Sequence, residues 1–154
     1  MKLTQKKYSI AVVLCFTSLA SHLAFGQIKQ DSENIPYKTG NPNDWPQDQD
    51  AMVAAPGNHK VLMENDNVRV LEVTVLPGEI EPVHHHQWPS VLHITESGDF
   101  IDRDAEGNVI LDTRQLAKPL VYPMTVWKDP EAPHSVENLS DTLTIRLIRV
   151  ELKK

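Results

Sequence analysis

The chain has 154 residues, of which 40% are hydrophobic and 23% charged, the make-up of one soluble globular domain rather than a disordered polymer. Fifteen Lys and Arg stand against 21 Asp and Glu, a formal charge of −6. That balance argues against sequence-independent nucleic-acid binding and against adhesion to an anionic membrane, since both need clustered cations.

Lys2, Lys6 and Lys7 precede an apolar run from Ile10 to about Leu19, and the small residues Ala24 and Gly26 stand three and one before Gln27. This is the plan of a secretory signal peptide over residues 1–26, cleaved near Gly26, and it predicts a secreted or periplasmic protein. The apolar run is too short for a permanent span and no later segment is a better candidate, so no stable membrane anchor is expected. The one cysteine, Cys15, lies inside the leader. The mature chain is therefore expected to have no disulfide, thiolate ligand or Cys nucleophile.

Residues 27–53 are polar, carry Pro36, Pro42 and Pro46, and show no period of 2 or 3.6, which reads as an extended N-terminal tether or strap. Ile35, Tyr37 and Trp45 are its candidates for packing onto the domain, which is expected over 54–154. Val68 to Leu76 reads as a strand closed by Pro77-Gly78. Further strands are predicted at Val83 to His86, Val91 to Thr95, Leu120 to Trp127, His134 to Val136 and Thr142 to Leu152. Phe100 to Arg103 and Val109 to Asp112 flank a hairpin signal at residues 104–107. Many short strands, frequent turns and no convincing helix give an all-β sandwich or barrel.

Six histidines follow the leader: His59, His84, His85, His86, His93 and His134. In a strand, residues i and i+2 share a face, so His84 and His86 converge while His85 points away. Two imidazoles on one pleat form a platform for a first-row divalent metal. His59 reads as a surface residue near the domain entry.

The surrounding pattern resembles the cupin family. Gly78, His84, His86 and Gly98 stand at the spacing of that family's first motif, with Val91 where the motif has Glu, and His134 with Asn138 match the end of its second. Asp129 and Glu131 occupy the upstream Pro-x-Gly positions of that second motif. The resemblance implies a single jelly-roll barrel with His84, His86 and His134 as metal ligands inside it. It also implies a small-molecule substrate and carries an expectation of a homodimer. Without the carboxylate, the preference moves from Mn toward a divalent Fe, Zn, Ni or Cu ion. His93, two residues beyond Val91 on the same face, is the candidate catalytic acid or base. Gln87, Trp88 and Trp127 are candidates for the cavity rim, and Asn138 for a hydrogen bond within the barrel.

Two chemistries fit an open site of this kind: dioxygenase-like oxidation, slightly favoured, and isomerase or hydrolase chemistry. The alternatives are a non-catalytic small-molecule-binding module and a structural cell-envelope domain, both without metal. The segment 102–107 lacks the bidentate Glu of a calcium loop, because position 113 is Thr, and reads as a solvated hairpin tip. No Gly-x-Ser-x-Gly elbow, phosphate loop or dinucleotide fingerprint is present.

Overall fold

The computed structural model describes residues 40–153, so the predicted leader, and Ile35 and Tyr37, lie outside the described residues. Among the described residues nine strands form two antiparallel sheets. They are β1 (His59–Glu64), β2 (Val68–Val75), β3 (His84–His86), β4 (Ser90–Glu96), β5 (Phe100–Asp104), β6 (Val109–Asp112), β7 (Met124–Lys128), β8 (Glu131–Asn138) and β9 (Ile145–Leu152). One sheet has the order β1-β2-β9-β4-β7 and the other β3-β8-β5-β6. The expected all-β jelly roll is what the chain forms.

Alternation along the strands decides what faces inward. In β2 every second residue is buried, from Arg69 through Leu71 and Val73 to Val75. Its partner β9 buries Ile145 at one end but Arg149 and Glu151 at the other. The interior therefore has an apolar half and a charged half, and buried charge is tolerable only where it is paired.

Three sequence expectations shift. Strand β1 had no counterpart, because it is an edge strand in which only His59 is buried, leaving no alternation to read. The run expected from Leu120 enters a sheet only at Met124, after Pro119 and Pro123, whose rings supply no N–H for pairing. The described end of the N-terminal segment packs on the barrel: Trp45 lies against His85, and a single helical turn at Ala51–Ala54 buries Ala51 completely. Asp50 caps that turn by accepting from Met52 N at 3.0 Å. Among the described residues no helix is long and apolar enough to cross a membrane.

Gly78 turns with φ of +71°, which suits only glycine after Pro77. At Gly98 a Cβ would stand 2.6 Å from Ser140 Cβ, so the β4–β5 crossing packs directly on the loop before β9. Asn138 ties the same region together, donating to Val75 O, Leu76 O and Leu143 O and accepting from Ser140 N. Its predicted role as a bond inside the barrel is what the structure shows, and at 1% exposure it is no surface sequon.

Candidate metal centre

His84 and His86 project from β3 to one side, as the period of 2 requires, and their ring centroids are 5.1 Å apart. His84 pairs across the sheet with His134 on β8, whose ring is 4.8 Å from that of His84 and 5.9 Å from that of His86. The three expected rings do meet inside the barrel. A fourth joins them: His59, at the start of β1, lies 4.7 Å from His84 and 5.2 Å from His86. The surface position expected for His59 is thus corrected, since the first residue of β1 turns inward while the rest of the strand is exposed. Ligand-capable atoms of His59, His84 and His86 all lie within 4.8 Å of one another.

Each ring of this triad is held by its Nδ1. His59 Nδ1 meets Ala55 O at 3.1 Å, His84 Nδ1 meets Pro82 O at 2.9 Å, and His86 Nδ1 meets a Glu151 carboxylate oxygen at 2.7 Å. An acceptor facing Nδ1 fixes that nitrogen as the N–H and leaves Nε2 as a bare lone pair, the tautomer a metal-binding imidazole needs. His134 Nδ1 is buried with no hydrogen-bond partner, in a ring 4.8 Å from that of His84. The donor set and this orphan both fit a divalent transition ion.

The electrostatics keep the rings neutral. Burial lowers His59 to about 3, reinforced by the neighbouring His84. Burial likewise lowers His84 to about 4 against the lift from Pro82 O, and drives His86 and His134 well below the ordinary imidazole range. Behind the rings the charges are matched. Glu131 receives Arg149 at 2.6 Å and Lys128 at 2.8 Å, which outweighs its desolvation and keeps it ionised. Glu151 receives Arg69 and His86.

A cavity of about 110 Å³ opens beside the cluster, walled on one side by apolar residues including Val73, Leu92, Ile94 and Ile145. Glu81 and Asp102 also line it, and each keeps one carboxyl oxygen buried without a partner. Burial, with the charges of Glu79 and Asp102, pushes Glu81 up to about 8; burial, with Glu131, pushes Asp102 up to about 7. Both are therefore held toward the protonated form, and the sequence singled out neither.

The remaining expected positions lie elsewhere. His93 is exposed on the outer face of β4, with Nδ1 2.9 Å from Thr125 Oγ1, so the structure does not bring it to the cavity. Val91 shares that outer face, and the inward residue is Ser90, whose buried Oγ has no partner. The reason is an irregularity in the β4–β9 register between Ile94 and Glu96, which slips the count back from Gly98 by one residue. Trp88 sits under Arg69 at 4.8 Å, Trp127 is half exposed and donates to Asp129, and Gln87 donates to Asn43, so none of them lines the cavity. His85 faces away from the cluster, as expected, but is buried by the N-terminal segment.

No family model matches the chain, and no curated protein matches it in sequence. Solved structures do. A cupin domain protein from Bordetella pertussis superimposes with a TM-score of 0.51 at 24% identity, over 62% of this chain and 92% of that one. An RmlC-like cupin with a double-stranded β-helix from Methanocaldococcus jannaschii gives 0.44 at 15% identity, over 61% and 77%. A polyketide cyclase from Streptomyces resistomycificus gives 0.44 at 17% identity, over 76% and 80%. The two-sheet barrel, the histidines inside it and the Bordetella likeness agree: this chain has the cupin fold.

Proposed function

We propose that the protein is a metal-dependent cupin that holds one divalent transition ion through Nε2 of His59, His84 and His86, with His134 at the fourth position. It acts on a small, largely apolar molecule received in the adjoining cavity. The observation that carries this reading is the anchoring of three Nδ1 atoms on Ala55, Pro82 and Glu151, which aims three lone pairs toward each other. Fe, Zn, Ni or Cu suits such imidazole donors, and the bound ion supplies Lewis acidity and, for Fe, Ni or Cu, redox chemistry.

The chain's own residues do the rest. Neutral donors leave the centre's positive charge nearly intact, while Glu131 and Glu151 stay committed to Arg149, Lys128 and Arg69. The apolar wall suits a substrate whose body is apolar and whose polar end meets the histidines. Glu81 and Asp102 stand in the cavity as proton donor and acceptor. The N-terminal leader pattern supports export to the periplasm or medium.

The test is elemental analysis and Co(II) titration of protein made without a His tag. One equivalent per chain is expected, lost in His84→Ala and in His86→Ala. Metal-free protein that takes up no Co(II), or uptake unaltered by both substitutions, overturns the reading in favour of a non-catalytic module.

A further inference from the structure

The Nδ1 anchor of His86 is the end of a longer chain of contacts. Glu151 is fully buried and accepts from His86 Nδ1 on one oxygen and from Arg69 Nε on the other. Arg69 turns both remaining nitrogens to Asp50, at 3.2 Å each, a bidentate fork onto one carboxylate. The face of the guanidinium lies on Trp88. Every nitrogen of Arg69 is thus committed, and a planar fork so held transmits position, since it has no spare rotamer to absorb a shift. Asp50 itself belongs to the N-terminal segment, and burial, which would raise it, is outweighed by the bonds from Arg69 and Met52.

The same segment grips the metal strand by a second route. His85 sits between His84 and His86 in sequence and points to the opposite face, where its Nε2 meets Pro46 O at 2.9 Å and its ring lies 5.3 Å from Trp45. The backbone of Asp50 makes a parallel bridge to His85. Residues 45–50 therefore back β3 from outside while Asp50, Arg69 and Glu151 hold His86 from behind.

Resting on the metal reading above, we propose that residues 45–50 are a strap whose docking sets the affinity of the metal centre, with Asp50, Arg69 and Glu151 as positioning residues for His86. Removing the Asp50 charge leaves Arg69 neutralised by Glu151 alone, which draws Glu151 toward the guanidinium and away from Nδ1. The ring of His86 then loses its tautomer lock. Loss of a carboxylate behind a ligating histidine costs about 10–100-fold in metal affinity, and a contact one step further out is expected to cost about 5-fold or more. By reciprocity, metal must tighten the strap by the same factor.

The experiment uses the full chain and Co(II). Asp50→Asn keeps an oxygen to cap Met52 while removing the charge, and Glu151→Gln tests the inner step. Glu96→Gln removes an exposed ion pair with Arg146 and is the control. Chelator competition is expected to give weaker Co(II) binding in the order Glu151→Gln, then Asp50→Asn, with Glu96→Gln at the wild-type value. The visible Co(II) spectrum should shift in the first two. Hydrogen exchange on the wild type, with and without Co(II), needs no variant. Slower exchange at the amides of Asp50, Val53 and Ala54 on metal binding supports the coupling. Wild-type protein that binds no Co(II) sinks the metal reading. Wild-type protein that binds Co(II), with affinity and spectrum unaltered in Asp50→Asn or with strap exchange unaltered by metal, sinks the strap proposal alone.

Discussion

Glu81→Gln is the sharpest single test of the cavity's electrostatics. The Glu81 carboxyl is 4% exposed, has one oxygen without a partner, and is raised from 4.5 to about 8 by burial and by Glu79 and Asp102. The folded state therefore holds a proton that the unfolded chain releases above pH 4.5, so stability is greatest at low pH and declines as pH rises through the folded value. Each unit of difference is worth about 1.4 kcal/mol. At pH 6 the deficit is about 2 kcal/mol and by pH 9 about 5 kcal/mol, a further loss of about 3 kcal/mol across that interval. Gln has nearly the same shape and nothing to ionise, so Glu81→Gln removes that slope while leaving the value at low pH close to wild type. Urea unfolding of chelator-treated protein at pH 6 and pH 9 reads it directly, and thermal melts should show the variant gaining about 10 °C relative to wild type at the alkaline end. Equal losses in the two proteins between pH 6 and pH 9 would show that Glu81 ionises without penalty, and the raised carboxyl, with its part in proton transfer, would have to be abandoned.

The histidine cluster gives the opposite slope. With His59 at about 3 and His84 at about 4, the unfolded chain takes up protons below pH 6.5 that the folded chain refuses, so metal-free stability falls with acidification. His84 alone contributes a loss on the order of 3 kcal/mol by pH 4, and a His84→Asn variant should show a visibly shallower acid limb in circular dichroism. His93→Ala, on the outer face, is expected to leave Co(II) stoichiometry and affinity unchanged; a weakened site would mean that His93 reaches the cavity after all. Asn138→Ala strips the partner from Val75 O, Leu76 O and Leu143 O, and at about 1–3 kcal/mol per orphaned buried group should lower Tm by well over 5 °C in a melt at pH 7.

How far the sequence discloses this site depends on where strand parity survives. His84 and His86 were legible because two residues apart on a short strand is a local relation that packing cannot undo. His134 and Asn138 came from motif spacing, and the pairing of β3 with β8 makes that spacing work by setting His134 opposite His84. His59 was not legible. It is the one buried residue of an edge strand whose other members face solvent, so no alternation marks it, and its place depends on β1 pairing with β2. His93 lies on the outer face for a related reason: its inward position was read from its parity with Val91, and that of Val91 from a count across a register slip. Trp45 and Asp50 sit in a proline-rich polar stretch whose composition reads as linker, and only the tertiary contacts to His85 and Arg69 show these two residues packed on the barrel.

The charge behind the histidine cluster comes from β9 and not from β4. The inward position on β4 is Ser90, and the residue paired with it across the sheet is Glu151 on β9. From β9, Glu151 reaches the back of His86 and binds Nδ1. Its negative charge then acts through the imidazole, which under the metal-binding proposal would make Nε2 a stronger donor. Burying that charge without a metal contact requires other cations, and Arg69 and Arg149 are the inward residues beside it on β2 and β9. Arg69 is in turn matched by Asp50. Glu151, Arg69 and Asp50 thus link the charged half of the interior to the packing of residues 45–54, which composition alone would leave in solvent.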